Sequence, residues 1–291
     1  MVSGIPATSG RGYTVPTAAT SGVPGTSLCS RHRCCREFPR PSRKHLRCFR
    51  DKLRRGYNVM SGVPATNGRG CRYKLWALMT HAAIILKYPI ALIERLFPSI
   101  LCRTKSQGIH LTFDDGPHPA ATPVVLDILK QFGIQATFFL NGEHIDWYPE
   151  LVRRIVKEGH SAQNHGYTHR NLFRCSAAVV KDELLKTTEA IMRHGGSTPK
   201  YFRPPFGFFR NETLKIAAEC SLKPVLWSFD SKDYFHREKT FDRSIARHTF
   251  TGGEILLFHD NESTYGSAEK TVRSLVDFLS KRHFAFSAIE E

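Results

Sequence analysis

Asp114 and Asp115 stand side by side where the apolar run Leu111-Thr112-Phe113 meets Gly116-Pro117. The run reads as a β strand from Gly108 to Phe113, stopped by the Gly-Pro pair. Successive side chains on a strand point to opposite faces. At a strand end beside a turn, however, two neighbouring carboxylates can reach one pocket in different roles. One can bind a metal while the other takes a proton from water. Asp-Asp-Gly is also ordinary turn chemistry, so the pair gains meaning only from its companions. These are His165 and His169 in Asn164-His165-Gly166-Tyr167-Thr168-His169, and Arg203 in Phe202-Arg203-Pro204-Pro205-Phe206-Gly207. Asp230 and Asp233 lie in Trp227-Ser228-Phe229-Asp230-Ser231-Lys232-Asp233-Tyr234, and His259-Asp260 completes the set. Two imidazoles and one carboxylate form an open site for zinc or a similar divalent ion. A second carboxylate can serve as base, and a histidine from another strand as acid. Such an ion lowers the pKa of water and polarises a carbonyl, so the expected chemistry is hydrolysis of an ester or amide.

The elements that must position these groups are short apolar strands alternating with amphipathic helices. Strands are expected at 109–113, 136–140, 161–164, 200–202, 224–229, 254–258 and 284–289. Helices are expected at 119–132, 149–158, 177–193, 211–220, 241–250 and 268–282. Regular alternation implies a mainly parallel sheet covered by helices. With no Gly-rich phosphate loop after the first strand, the expected fold is α/β, a distorted (β/α) barrel of about seven parallel strands. Barrel chemistry sits at the C-terminal strand ends, and every polar cluster above follows a predicted strand.

The chain divides into an arm at 1–74, an apolar helical segment and linker at 75–107, and a catalytic domain at 108–291. Up to residue 105 there are 19 basic and 3 acidic residues, whereas the remainder holds 23 of each. The net charge of +16 therefore lies ahead of the catalytic domain, and no nucleic acid is expected on that domain. The arm is rich in Gly, Ser, Thr, Pro and Arg, and residues 3–12 return almost unchanged at 61–70. Without an apolar face it is expected to be disordered. Residues 75–86 form a charge-free apolar run too short for a membrane span, though membrane association through 75–101 or a signal-like role is an open reading. The protein is accordingly expected in the cytoplasm or at a membrane, with export if translation starts at Met60. All eight cysteines read as free thiols, since their spacing matches no paired zinc pattern or disulfide framework.

These residues resemble the NodB-homology polysaccharide deacetylases, carbohydrate esterase family four. The resemblance covers about 109–289 and includes five family motifs in order, at 112–117, 165–169, 203–207, 230–234 and 257–260. It implies that Asp115, His165 and His169 bind one divalent metal, zinc first, with cobalt or nickel as alternatives. By the same resemblance Asp114 is the general base, held ionised by Arg203. His259 is the acid that protonates the departing amine, oriented by Asp233. The Phe206 N–H joins the metal in stabilising the oxyanion, and Tyr234 and Leu257 line the acetyl pocket. Three positions depart from the family pattern: Gly166 for Ser or Thr, Tyr234 for the commoner Trp, and Gln163 for a frequent Gly. The implied substrate is an N-acetylated glycan with N-acetylglucosamine-type units. The alternatives are deacylation or deformylation of another amide on the same metal site, or an inactive sugar-binding relative.

Overall fold

The structure, a computed structural model, describes residues 90–235 and 244–290. The expectations for the arm, for the apolar run at 75–86, for Cys29, Cys34, Cys35, Cys48 and Cys71, and for the first part of the helix at 241–250 lie outside these residues. Cys102, Cys175 and Cys220 are free thiols. Among the described residues, no helix is long and apolar enough to cross a membrane.

Seven strands form one parallel sheet: β1 His110–Asp114, β2 Thr137–Leu140, β3 Ser161–Asn164, β4 Tyr201–Phe202, β5 Lys223–Pro224, β6 Phe229–Asp230 and β7 Ile255–His259. Their order is β5-β4-β3-β2-β1-β7-β6, a curled half-barrel with β1 near its centre. Helices α1 Ile90–Leu96, α2 Ala121–Phe132, α3 Gly142–Trp147, α4 Pro149–Lys157, α5 Ala177–Gly195, α6 Asn211–Glu219 and α7 Ala268–Ser280 surround it.

Strand alternation sorts the core into two sides. Leu111 and Phe113 of β1, Phe138 and Leu140 of β2, and Leu256 and Phe258 of β7 lie in one buried cluster. They meet Val125, Leu126 and Leu129 of α2 and Val272, Leu275 and Leu279 of α7. The intervening residues Phe139, Ile255 and Leu257 enter a second cluster with Tyr201, Val225, Leu226 and Trp227, inside the curl. Ile93 of α1, Ile100, Leu101 and Cys102 belong to that inner cluster. The segment from Ile93 to Cys102 is therefore packed into the domain.

Two strand expectations need correction. The run 224–229 is not one strand, because its backbone changes partners along its length. Val225 N–H donates to Phe202 O, Leu226 N–H to Leu101 O, and Ser228 N–H to Ile255 O. The result is two short strands, β5 and β6, at opposite edges of the sheet. Residues 284–289 form no strand. Both sides of β1 are already occupied by β2 and β7, so this segment makes only a bridge between Phe286 and Ile109. The helix α3 was not legible in Gly-Glu-His-Ile-Asp-Trp. It is fixed from outside, by Gly142 and Glu143 N–H groups donating to Gly166 O and Tyr167 O.

Candidate active site

Asp114 is the last residue of β1 and continues the inner face that carries Thr112. It is 3 % exposed, and a fully buried guanidinium meets it. Arg203 Nη1 donates to Asp114 Oδ1 at 2.6 Å and to Thr112 Oγ1 at 2.7 Å, and Nη2 to Leu226 O at 3.1 Å. The guanidinium lies 4.1 Å from the Phe139 ring centroid. Burial lowers the Arg203 pKa while Asp114 raises it, so each ion justifies the other in a dry setting. Asp114 Oδ2 faces the other way, 3.8 Å from His165 Nε2.

The turn after β1 sends the second carboxylate to the same place. Asp115 has φ 75°, a left-handed conformation that a non-glycine residue holds only when its surroundings enforce it. Here they do. The Asp115 carbonyl accepts from Asn141 Nδ2 at 3.2 Å and from His144 Nδ1 at 2.8 Å. Behind the turn, a Cβ at Gly116 would run into the Asp260 carboxyl, which Thr122 Oγ1 meets at 2.5 Å. Burial lifts the Asp260 carboxyl well above its usual range, against that hydrogen bond.

Asp115 Oδ1 lies 2.9 Å from His169 Nε2 and 3.3 Å from His165 Nε2, and one donor atom from each of the three residues falls within 4.8 Å of the others. His165 Nδ1 is 2.8 Å from Arg203 O. A carbonyl can only accept, so Nδ1 carries a proton and Nε2, which faces Asp115, is the nitrogen left for a metal. That is the tautomer a metal requires. Burial alone would raise the Asp115 carboxyl, but His169 and His165 outweigh it and hold it well below the usual range. An ionised carboxylate and a correctly tautomerised imidazole make the trio fit a divalent cation.

The histidine loop is held by residues outside the predicted set. Asn164 Oδ1 accepts Gly166 N–H at 2.9 Å. Glu183 of α5 accepts Tyr167 N–H at 2.8 Å, Thr168 N–H at 2.7 Å and Thr168 Oγ1 at 2.7 Å. Gly166 has φ 79°, so the small residue suits the loop conformation. Glu183 was detectable in principle, since it shares the buried face of α5 with Val180, Leu184 and Thr187. A charged residue on an apolar helical stripe needs a partner.

On the neighbouring strand, Asp114 pairs in register with His259 of β7. Asp233 grips His259 twice, accepting its backbone N–H at 2.8 Å through Oδ2 and lying 2.8 Å from Nδ1 through Oδ1. Burial opposes charge on this imidazole, but Asp233 outweighs it and lifts the pKa to about 10. The ring is thus protonated at neutral pH, as an acid must be. Tyr234 meets it edge-on at 5.3 Å and donates its hydroxyl to Asp230 Oδ2 at 3.0 Å. Because Asp233 holds the proton on, Asp233→Asn should shift the alkaline limb of the pH–rate profile towards neutrality. An unmoved limb would show that another group sets it.

Leu257 is buried in the inner cluster, on the same face of β7 as His259. Phe206 is 52 % exposed, with φ 60° and its ring 4.6 Å from that of His169. All ten residues given a role from the sequence thus lie near the C-terminal ends of the strands or in the loops that follow them.

Residues 102–225 match the family model for polysaccharide deacetylases. A chitooligosaccharide deacetylase of Bradyrhizobium sp. (strain ANU 289) is 36 % identical over 191 residues, which span 62 % of this chain and 87 % of the relative. A peptidoglycan-N-acetylglucosamine deacetylase of Bacillus cereus is 40 % identical over 149 residues, 51 % of this chain but only 54 % of the relative. Among solved structures, the Bc1960 peptidoglycan N-acetylglucosamine deacetylase superposes with a TM-score of 0.64 at 30 % identity, covering 69 % of this chain and 95 % of that one. BA3943 of Bacillus anthracis, described as a pseudoenzyme of carbohydrate esterase family four, gives a TM-score of 0.59 at 27 % identity over 68 % and 69 % of the two chains. The backbone alone therefore does not separate active members from inactive ones, and the side chains described above have to do so. A shared sequence along most of the Bradyrhizobium relative, on the same curled sheet, makes this chain a member of the polysaccharide deacetylase family.

Proposed function

We propose that this protein is a metal-dependent hydrolase that removes N-acetyl groups from N-acetylglucosamine-type units of a glycan. The observation that carries the reading is the convergence of Asp115 Oδ1, His165 Nε2 and His169 Nε2 beside two separately supported proton-transfer groups, Asp114 and His259. A divalent ion held by that trio, with zinc favoured by its two-imidazole, one-carboxylate donors, would supply an acidified water and polarise the amide carbonyl.

The remaining work falls to the chain. Asp114 accepts the water proton through Oδ2, the oxygen that Arg203 leaves open. Arg203 grips the other oxygen of that carboxylate and prevents it from rotating. His259 delivers a proton from Nε2 to the amide nitrogen as the carbon–nitrogen bond breaks, and Asp233 keeps Nδ1 engaged throughout. The Phe206 N–H stabilises the oxyanion, and Leu257 and Tyr234 enclose the acetyl methyl. Catalysis is assigned to residues 108–291.

Release of acetate from a panel of chitooligosaccharides, peptidoglycan fragments and small N-acetylated or N-formylated amides, or of formate from the N-formylated members, tests the reading. Acetate released from N-acetylglucosamine oligomers, abolished by chelation and restored by zinc, is the expected result. Turnover of only non-sugar amides would reassign the substrate. No turnover of any amide by the metal-loaded protein would overturn the proposal.

A further inference from the structure

Asp115 has two carboxylate oxygens, and the site treats them differently. Oδ1 faces His165 and His169. Oδ2 accepts a hydrogen bond from Asn261 Nδ2 at 2.8 Å, across 146 residues of sequence. The orientation of the Asn261 amide is not arbitrary. Its Oδ1 accepts Ser263 N–H at 2.8 Å, Ser263 Oγ at 2.6 Å and Thr264 N–H at 3.2 Å, closing an Asx turn. Reversing the amide would set its NH₂ against two backbone N–H donors and its oxygen against a carboxylate. The turn is in turn tied to β7, because Thr264 Oγ1 donates to the carbonyl of His259 at 2.8 Å.

The Asp115 backbone is already fixed by Asn141 and His144. The freedom left to its side chain is rotation of the carboxylate, and Asn261 restrains it by occupying Oδ2. We propose that Asn261 is a positioning residue that restricts Asp115 to metal coordination through Oδ1 alone. The proposal rests on the reading of Asp115, His165 and His169 as metal ligands. Single-oxygen coordination matters because a carboxylate that chelates through both oxygens consumes a position that an open catalytic site keeps for water or substrate. A neutral amide serves this purpose better than a lysine, which would hold Oδ2 but repel the cation. The same contact couples the strand end that carries the acid, His259, to the carboxylate that carries the metal.

Two substitutions separate this role from closure of the turn. Asn261→Ser keeps an oxygen able to accept from Ser263 and Thr264 but is too short to reach Asp115. Asn261→Asp keeps the turn acceptor and exchanges the donor for a carboxylate that repels Asp115 Oδ2. Metal-free protein is titrated with zinc, and the cobalt-substituted form is recorded by visible absorption. Loss of an outer partner to a metal ligand lowers affinity by roughly 10–100-fold, and that loss is expected for Asn261→Ser. In both variants the cobalt d–d bands should weaken as the coordination number rises, while the metal-free protein melts as the wild type does. At saturating metal, kcat should fall more than KM rises, because the lost position is one that the reacting water needs. Wild-type zinc affinity and an unchanged cobalt spectrum in both variants would overturn the proposal and leave Asn261 as a turn residue only. Asp115→Asn is the control. If it binds zinc as tightly as the wild type, the metal assignment fails and takes this inference with it. If it loses zinc while both Asn261 variants keep it, the assignment stands and the inference falls alone.

Discussion

His169→Ala is expected to remove bound metal and activity together while leaving the fold intact. The side chain of His169 is 27 % exposed, so its deletion opens no core cavity. Its loop remains tied to α5 by Glu183 and to β3 by Asn164. What disappears is one of the three proposed metal ligands. The effect is large because catalytic zinc sites hold their ion with only three protein donors, and because without the ion the attacking water returns to the far weaker acidity of bulk water. Metal analysis of the purified variant should show near-complete loss, with acetate release at background and an unchanged circular dichroism spectrum. Excess zinc should restore part of the rate, since Asp115 and His165 remain. A variant that keeps wild-type turnover without metal would sink the mechanism.

How far the sequence anticipates such a site depends on the length scale of each interaction. Strand–helix alternation is local, and β1, β2, β3 and β7 follow the expected runs to within one residue at either end. The same alternation, with the strand-end rule, located Asp114, Asp115, His165, His169, Arg203 and His259. The sequence could not show where one run would serve two neighbours. Val225 to Ser228 read as continuous β structure, yet their hydrogen bonds pass from β4 to Leu101 and then to β7. That transfer is a property of the curled sheet rather than of the residues. Residues 284–289 have the composition of a strand, but the positions beside β1 were already filled. The supporting polar residues were hidden for a related reason. Glu183 lies 15 residues from Thr168 and Asn261 lies 146 from Asp115, and no motif spacing encodes either contact. Arg203 and Asp233 were the exceptions. A resemblance paired Arg203 with Asp114 and Asp233 with His259 before the structure showed the guanidinium fully buried against the one carboxylate and the other carboxylate gripping the imidazole.

That buried pair sets up the sharpest separation of roles. Asp114→Asn should leave the metal bound while hydrolysis falls by roughly 10²–10⁴-fold, the usual contribution of a positioned base. The metal should stay because Asp114 contributes no atom to the ligand trio, and its nearer approach to it is 3.8 Å. The fold should tolerate the change better than it would tolerate loss of the whole side chain. Asparagine retains an oxygen that can accept from Arg203 Nη1, whereas Asp114→Ala would strand a buried cation at a cost of about 3–5 kcal/mol. Asp114→Asn should therefore melt at a lower temperature than the wild type but above Asp114→Ala, with metal content the same in all three. The two readouts divide the possible failures. If Asp114→Asn loses its metal, Asp114 belongs to the ligand set and the base must be sought elsewhere. If it keeps both metal and rate, the water is activated without it, and Arg203 and Asp114 form a structural pair beneath the site. Loss of rate with metal retained is the outcome expected from the geometry, because Asp114 Oδ2 faces His165 of the trio and Arg203 engages only the other oxygen.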